Sequence, residues 1–266
     1  MANDFKMFDS FDNRVRLAGR LTALTALRIG AGRGTGVTGT DLPVVRDAVG
    51  RPFIPGSSFK GSLRASAESL VRSVSRSRRA ACNPLNRDEW CVQKPEGVDE
   101  EQFQKLVEEE TCLVCRVFGS PWLASKVSVR DLLVEEGTWA DQYELRNGVA
   151  IDRDTGTASE GLLYDFEVVP AGTTFSCEVV VENAEDWGLG LLMVGLRPFE
   201  RGEAALGGAR SRGLGAVKLA WEKQTRVAGG EELLDYLAGA EPRAIDGMVT
   251  GWVGSFRERL KGVAHA

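Results

Sequence analysis

Residues 14–29, RVRLAGRLTALTALRI, alternate loosely between apolar and polar positions and then run into GAGRGTGVTGT. That is the pattern of a half-buried strand feeding a glycine-rich loop, and it fixes the frame for everything downstream. Residues 43–55 carry the short apolar PVV, charged turn residues and then PFIPG, a hairpin-like return towards the loop. From Ser57 to about Arg79 the spacing becomes helical, with Phe59, Leu63, Ala67, Leu70, Val71 and Val74 on one side and Ser57 or Ser58 as the cap. Residues 80–118 read as an insertion with a small core of its own and a helix over 99–110. KVSVRDLLV (126–134) reads as a strand, and the polar, glycine-containing 139–164 as a protruding hairpin. Two strands joined by a Pro-Ala-Gly turn span 164–181, and a helix over 186–199 offers Trp187, Leu191, Leu192, Val194 and Leu196 to a sheet. LGGARSRGLGAVKLAWEK is a second glycine-rich loop leading into a final strand, and the C-terminal residues 223–266 are expected to form a helical tail. Strand, helix, strands, helix, strand is the order of a ferredoxin-like (RRM-like) α+β sandwich, here with long interruptions.

With 43% hydrophobic and 27% charged residues, the 266-residue chain has a composition able to bury a substantial core, in one large domain or two small ones. Its longest apolar runs fall short of the roughly 20 residues that cross a bilayer. The start, MANDFKMFDSFDNR, lacks the basic and apolar regions of a signal peptide, so a cytoplasmic protein with no membrane partner is expected. A formal net charge of -5 argues against a nucleic-acid partner at first sight. The distribution argues otherwise: Arg46, Arg51, Lys60, Arg64, Arg72, Arg76, Arg78 and Arg79 make 46–79 strongly basic, while EGVDEEQFQKLVEEE (96–110) is strongly acidic. The single histidine is His265, so chemistry that needs a positioned imidazole is disfavoured.

The first glycine loop, 30–40, has neither dinucleotide-binding nor phosphate-loop spacing; it suits close approach to a ligand and equally a merely flexible loop, and Asp41 after it could simply start a turn. IPGSSFKGSLR (54–64) places Lys60 and Arg64 one turn apart on a helix whose start offers free N–H groups, a good phosphate site or a capped surface helix with solvated charges. In LGGARSRGLGAVKL, Arg210 and Arg212 sit on backbone that can approach a phosphodiester chain closely. NGVAIDRDTGTA (147–158) sets Asp152, Arg153 and Asp154 in an exposed hairpin, as a metal-binding carboxylate pair or as ordinary turn chemistry.

Cys82 and Cys91 are spaced C-x8-C, Cys112 and Cys115 C-x2-C. Four thiolates at one centre make a closed structural zinc site, and a short C-x2-C pair is typical of its ligands; buried free thiols and an iron–sulfur cluster are the other readings. Cys177 lies in a strand pattern and reads as core.

Taken in order, DLPVVRD, IPGSSFKGSLR, CRVFGSP, AIDRDTGTA and GGARSRGLGAVKL resemble the RAMP superfamily of CRISPR-associated proteins over roughly residues 14–222. The resemblance is closest to the RNA-cleaving backbone subunits of type III effector complexes, and the cysteine-bearing insertion looks like that of the type III-D variety. It implies a modified ferredoxin-like domain over 1–222, with a zinc-binding insertion at 80–118 and a thumb hairpin at 141–163 that interrupts a guide–target duplex. By the same resemblance the catalytic aspartate is Asp41, where Leu42 stands in place of the usual serine. Arg46, Ser57, Ser58, Lys60, Arg64, Arg153, Arg210, Ser211 and Arg212 would contact RNA. The implied partners are guide RNA, complementary target RNA, other effector subunits and further copies or paralogues of the chain. The implied chemistry is attack of the RNA's own 2′-hydroxyl on the adjacent phosphate with Mg²⁺ or another divalent cation, which needs no histidine. The alternative is a catalytically inactive structural subunit of the same complex.

Overall fold

β1 (Asn13–Ala23) forms from the alternating stretch, in a computed structural model that describes residues 8–33 and 40–264. Positions 34–39 of the first glycine-rich loop and His265 lie outside the described residues. Val15, Leu17 and Leu21 are fully buried on one face of β1, while Arg14, Arg16 and Arg20 line the other, as a period of two requires. Beyond Ala23 the chain leaves the ladder; Leu27 exchanges 2.8 Å hydrogen bonds with Val169, and Gly30 bridges Val44.

After β2 (Phe53–Ile54), α1 (Gly56–Val74) packs Phe59, Leu63, Ala67 and Val71 inward. Neither serine caps it: Pro55 holds the N-cap position and the Asp131 carboxylate accepts the Gly56 N–H at 2.8 Å, which leaves Ser57 and Ser58 exposed on the first turn. The helix stops at Val74, short of Arg79, because the Ser75 hydroxyl takes the Ser77 N–H at 3.2 Å and offers the backbone an alternative to another helical turn. Leu70 and Val74 lie off the packed line of Phe59, Leu63, Ala67 and Val71 and point to solvent.

Segment 80–118 contains α2 (Glu100–Glu110) and α3 (Leu113–Phe118). Its apolar side chains join the main core and do not form a separate one, because α3 seats Leu113, Val114, Val117 and Phe118 beside α1. Then come β3 (Val127–Val129), β4 (Leu132–Leu133), the hairpin of β5 (Glu144–Ile151) and β6 (Ala158–Val168), β7 (Thr174–Glu182), α4 (Asp186–Glu200) and β8 (Val217–Ala228). Of the segment from 223 onward, 223–228 completes β8, and α5 (Glu231–Leu237), β9 (Arg243–Ala244) and α6 (Met248–Ala264) follow.

The main sheet runs β3-β7-β1-β8-β9 with every neighbouring pair antiparallel. β1 and β3 are therefore parallel around β7, and β7 and β8 are parallel around β1, giving the two interleaved split β-α-β units of a ferredoxin-like sandwich. α1 and α4 cover one face, with Phe59 and Phe199 ring centroids 5.2 Å apart. α6 lies against α4 at Gly190, where a β-carbon would sit 2.1 Å from the Trp252 carbonyl oxygen, and it adds Trp252, Phe256 and Leu260 to the same core. Among the described residues no helix is long and apolar enough to cross a membrane.

Candidate functional site

On the face of the sheet opposite α1 and α4, arginines meet glutamates: Arg14 with Glu182 at 2.7 Å, Arg16 with Glu178 at 2.9 Å, Arg20 with Glu135 at 2.9 Å and Glu222 at 3.0 Å. These paired charges are unlike the exposed aromatics on which such sheets stack single-stranded bases. Asp41, Arg46 and Arg212, of the residues singled out in the sequence, gather elsewhere, at the base of the β5–β6 hairpin.

There the chain emerging from the first glycine loop runs beside β6. Asp41 donates its backbone N–H to the Asp165 carboxylate at 2.7 Å and accepts the Asp165 N–H on its own Oδ2 at 3.1 Å. Leu42 bridges Phe166 in parallel and accepts the Glu167 N–H at 3.2 Å. The Glu167 carboxylate collects the Thr40 hydroxyl at 3.1 Å, the Val44 N–H at 3.2 Å and the Arg46 guanidinium. Burial pushes the Glu167 carboxyl up, but the Arg46 hydrogen bond and the Val44 N–H more than offset it and hold the group below its ordinary value. Glu167 is thus charged at neutral pH, and its pairing is lost only as pH falls through that lowered value. Arg46 also lies 4.2 Å over the Tyr143 ring, whose hydroxyl, pushed up to about 12 chiefly by burial, donates to the Gly50 carbonyl at 2.8 Å. Arg46 is engaged inside this joint.

The second glycine loop reaches the same place. Gly207 has φ 75° and passes so close to Arg28 that a β-carbon would sit 2.1 Å from the Arg28 carbonyl oxygen, so only glycine fits. Arg210, Ser211 and Arg212 form an exposed turn, with Arg212 Nη1 donating to the Tyr164 hydroxyl at 2.5 Å. Tyr164, Phe166, Val168, Ala26, Leu42, Ala209 and Leu214 make one small apolar cluster that ties the Asp41 loop, the hairpin and the arginine loop together. Arg28 lies 5.6 Å over the Phe166 ring with its Nε buried and unpaired. Ser58, Gly61 and Ser62 of α1, with Glu203, Gly207 and Arg210, line a cleft of about 580 Å³.

Lys60 and Arg64 turn the other way. Lys60 donates to the Ser125 hydroxyl at 2.7 Å, and burial lowers its pKa. Arg64 reaches Glu68 at 2.8 Å, the Gly119 carbonyl at 3.0 Å and the Cys115 sulfur at 3.3 Å. Arg153 occupies the hairpin tip, where Asp152 spends its carboxylate on the N–H groups of Asp154 at 2.8 Å and Thr155 at 3.0 Å, as turn chemistry requires.

The sulfurs of Cys82, Cys91, Cys112 and Cys115 lie within 4.8 Å of one another, all buried, with Cys82 and Cys115 3.6 Å apart. Ligands arranged tetrahedrally at about 2.3 Å from a metal stand about 3.8 Å from each other, so this set can hold a metal ion, whereas 3.6 Å is far too long for a disulfide. Contact with Cys112 holds the Cys82 thiol well below the usual range and brings Cys91 down to about 7, while the same contact pushes Cys115 up. Four touching thiols cannot all ionise unless a cation shares their charge. Cys177 stands apart in β7, its thiol pushed up to about 12 by burial.

Asp165, Glu167, Tyr164 and Arg28 were not singled out in the sequence. YDFEV held a signal for three of them, because alternation along a strand puts Asp165 and Glu167 on one face and Tyr164 on the other.

A family model described as the RAMP superfamily matches residues 20–218. Three similar curated proteins each bear the name CRISPR system Cms endoribonuclease Csm3. That of Methanocaldococcus jannaschii is 30% identical over 217 residues, covering 77% of this chain and 78% of that protein. That of Methanothermobacter thermautotrophicus is 26% identical over 238 residues, covering 78% and 84%. The Mycobacterium tuberculosis protein is 29% identical over 182 residues, covering 64% of each.

Proposed function

The chain belongs to the RAMP superfamily, and we propose that it is a guide-RNA-binding backbone subunit of a type III CRISPR effector complex that cleaves complementary target RNA at Asp41. The observation that carries this reading is the joint at the hairpin base, where an exposed carboxylate, an arginine loop and the root of the hairpin share one apolar cluster. The β5–β6 hairpin is the thumb, which interrupts the guide–target duplex beside the cut. The guide backbone follows the cleft lined by Ser58 of α1 and Arg210, past the exposed Ser57, Ser211 and Arg212 at its rim, with Arg153 reaching RNA from the thumb tip. The cysteine-bearing insertion favours the type III-D variety, and neighbouring effector subunits and further copies of the chain are the protein partners.

In the cleavage step the target's 2′-oxygen forms a bond to the adjacent phosphorus as the bond to the 5′-oxygen of the next nucleotide breaks. Asp41 Oδ1, which takes no part in the bonds to Asp165, accepts the 2′-hydroxyl proton, and water returns a proton to the leaving oxygen. The Asp41 carboxylate would hold a divalent cation, which would supply screening of the charge that develops on the phosphate. The hairpin supplies alignment by holding the target nucleotide out of the duplex. Arg46, Lys60 and Arg64 act by holding structure: Arg46 fastens the Asp41 loop, Lys60 ties α1 to Ser125, and Arg64 joins α1 to the cysteine segment. That segment is a structural zinc site formed by Cys82, Cys91, Cys112 and Cys115.

The test is cleavage of complementary RNA by the assembled, guide-loaded complex in Mg²⁺, with product ends mapped. Cuts at regular intervals leaving 2′,3′-cyclic phosphate ends are expected; an intact complement, or 3′-hydroxyl ends, overturns the reading. Arg210→Ala and Arg212→Ala should each weaken guide binding to a similar degree whatever the guide sequence. Each should also flatten the slope of log affinity against log salt by about 0.7, the value for one phosphate contact on a single strand. Filter binding over a salt series measures both, and unchanged slopes in both variants remove this loop from the guide path.

A second reading has an observation of its own. Asp41 Oδ2 accepts the Asp165 N–H, so the carboxylate also closes its loop. In an inactive structural subunit that closure would be its entire role.

A further inference from the structure

Two carboxylates on one face of β6 hold the strip of chain that carries Asp41 from both sides. Asp165 exchanges two hydrogen bonds with Asp41 itself, at 2.7 and 3.1 Å. Glu167, two residues along β6, fastens the flanks: Thr40 before Asp41, and Val44 and Arg46 after it. The Glu167 backbone N–H, bonded to the Leu42 carbonyl at 3.2 Å, closes the middle. Both side chains belong to a hairpin strand, and on the same face the next rung beyond Asn147–Asp165 is the exposed apolar pair Val149–Leu163. The aspartate is therefore referenced to the hairpin more directly than to the main sheet.

We propose that Asp165 and Glu167 are positioning residues that lock Asp41 to the hairpin, so that the seat of the hairpin in the RNA decides which phosphate is cut. The inference rests on the cleavage reading above. Asp165 sets the direction of the Asp41 carboxylate through its backbone N–H and takes the Asp41 N–H on its side chain. Glu167 sets how far the loop stands from the strand. Without them Asp41 keeps its chemistry and loses its register, and a displacement of about 1 Å at a reacting centre can cost about 100-fold in rate.

The test uses the assembled, guide-loaded complex with Asp165→Ala, Asp165→Asn, Glu167→Ala and Glu167→Gln in this chain, beside Asp41→Ala. Target affinity, single-turnover rate and the position of each cut at nucleotide resolution are measured. Asp165→Ala and Glu167→Ala should bind target as the natural complex does, cut at least about ten-fold more slowly, and spread their cuts over neighbouring phosphates. Asp165→Asn should restore the natural cut position, because an amide oxygen still accepts the Asp41 N–H. Glu167→Gln should restore it in part, because its single amide oxygen can still accept the Val44 N–H and its NH2 can donate to the Thr40 hydroxyl, but the charge that pairs with Arg46 is gone. Cuts at the natural phosphate at the natural rate in both alanine variants overturn the inference. So does a loss of target binding that matches the loss of cutting and is not relieved by Asp165→Asn. If Asp41→Ala itself still cuts, it is the cleavage reading that fails.

Discussion

Asp41→Ala is expected to lower specific target cutting by about 100- to 10,000-fold, the range for losing a general acid–base group, while guide loading and target binding stay at their natural levels. The separation is expected because the residue is exposed and bears little of the fold. Its side chain makes one backbone contact, with the Asp165 N–H, and at an exposed position water can replace that acceptor. The backbone contact to Asp165 does not depend on the side chain at all. Asp41→Asn sharpens the result. An asparagine oxygen still accepts the Asp165 N–H and closes the loop, but it neither takes a proton from a hydroxyl nor offers a charged oxygen to a divalent ion. Asn as inactive as Ala assigns the effect to chemistry. Asn cutting at the natural rate assigns Asp41 to loop closure, and the chain becomes a guide-holding subunit whose neighbour does the cutting.

How far the sequence reaches is decided by whether a property is periodic or relational. Alternation in 14–29 and helical spacing after Ser57 are periodic, and β1 and α1 begin where those patterns put them but end earlier, at Ala23 and Val74. The order of elements then suffices for the sheet topology, because few sandwiches accept strand, helix, strands, helix, strand. The convergence of the two cysteine pairs was legible for a similar reason, since ligand chemistry demands it whatever path the chain takes between them. What a charged side chain faces is relational. Lys60 and Arg64 lie one turn apart as their spacing requires, but whether that stripe looks towards a phosphate or towards Ser125 and Cys115 depends on how segment 80–118 folds back over α1. Ser57 and Ser58 lost the cap to Asp131, seventy-five positions beyond the helix start in the chain. The carboxylates of Asp165 and Glu167 were visible as alternation, yet nothing local says that the strip 40–46 lies against that face. Leu70 and Val74 were read into the helix face because they are apolar, and the packed line is 59, 63, 67, 71, one position around.

Loss of a zinc ion from the proposed four-cysteine site should destabilise the chain strongly. Protein purified without chelator is expected to carry about one zinc per chain, the stoichiometry of a four-thiolate centre. Its removal, or Cys112→Ser with Cys115→Ser, should unfold segment 80–118 cooperatively. Structural zinc contributes on the order of 10 kcal/mol to the folding of small cysteine sites, and its loss removes the tie between Cys82 and Cys91 at the start of the segment and Cys112 and Cys115 at α3. The damage should spread. Cys112 and Cys115 flank the start of α3, whose side chains fill the core beside α1, and Arg64 bridges Cys115, Gly119 and Glu68 across that contact. A lowered melting temperature for the whole chain is therefore expected, together with weaker guide loading, because α1 presents Ser57 and Ser58 from its far end. Cys177→Ser is the control: this thiol is buried in β7 outside the quartet, so the substitution costs packing but leaves the metal content unchanged. Protein that contains no metal, and whose Cys112→Ser, Cys115→Ser form melts as the natural chain does, would make the quartet four buried thiols. Iron with a brown colour in place of zinc would make it a cluster site with the same ligands.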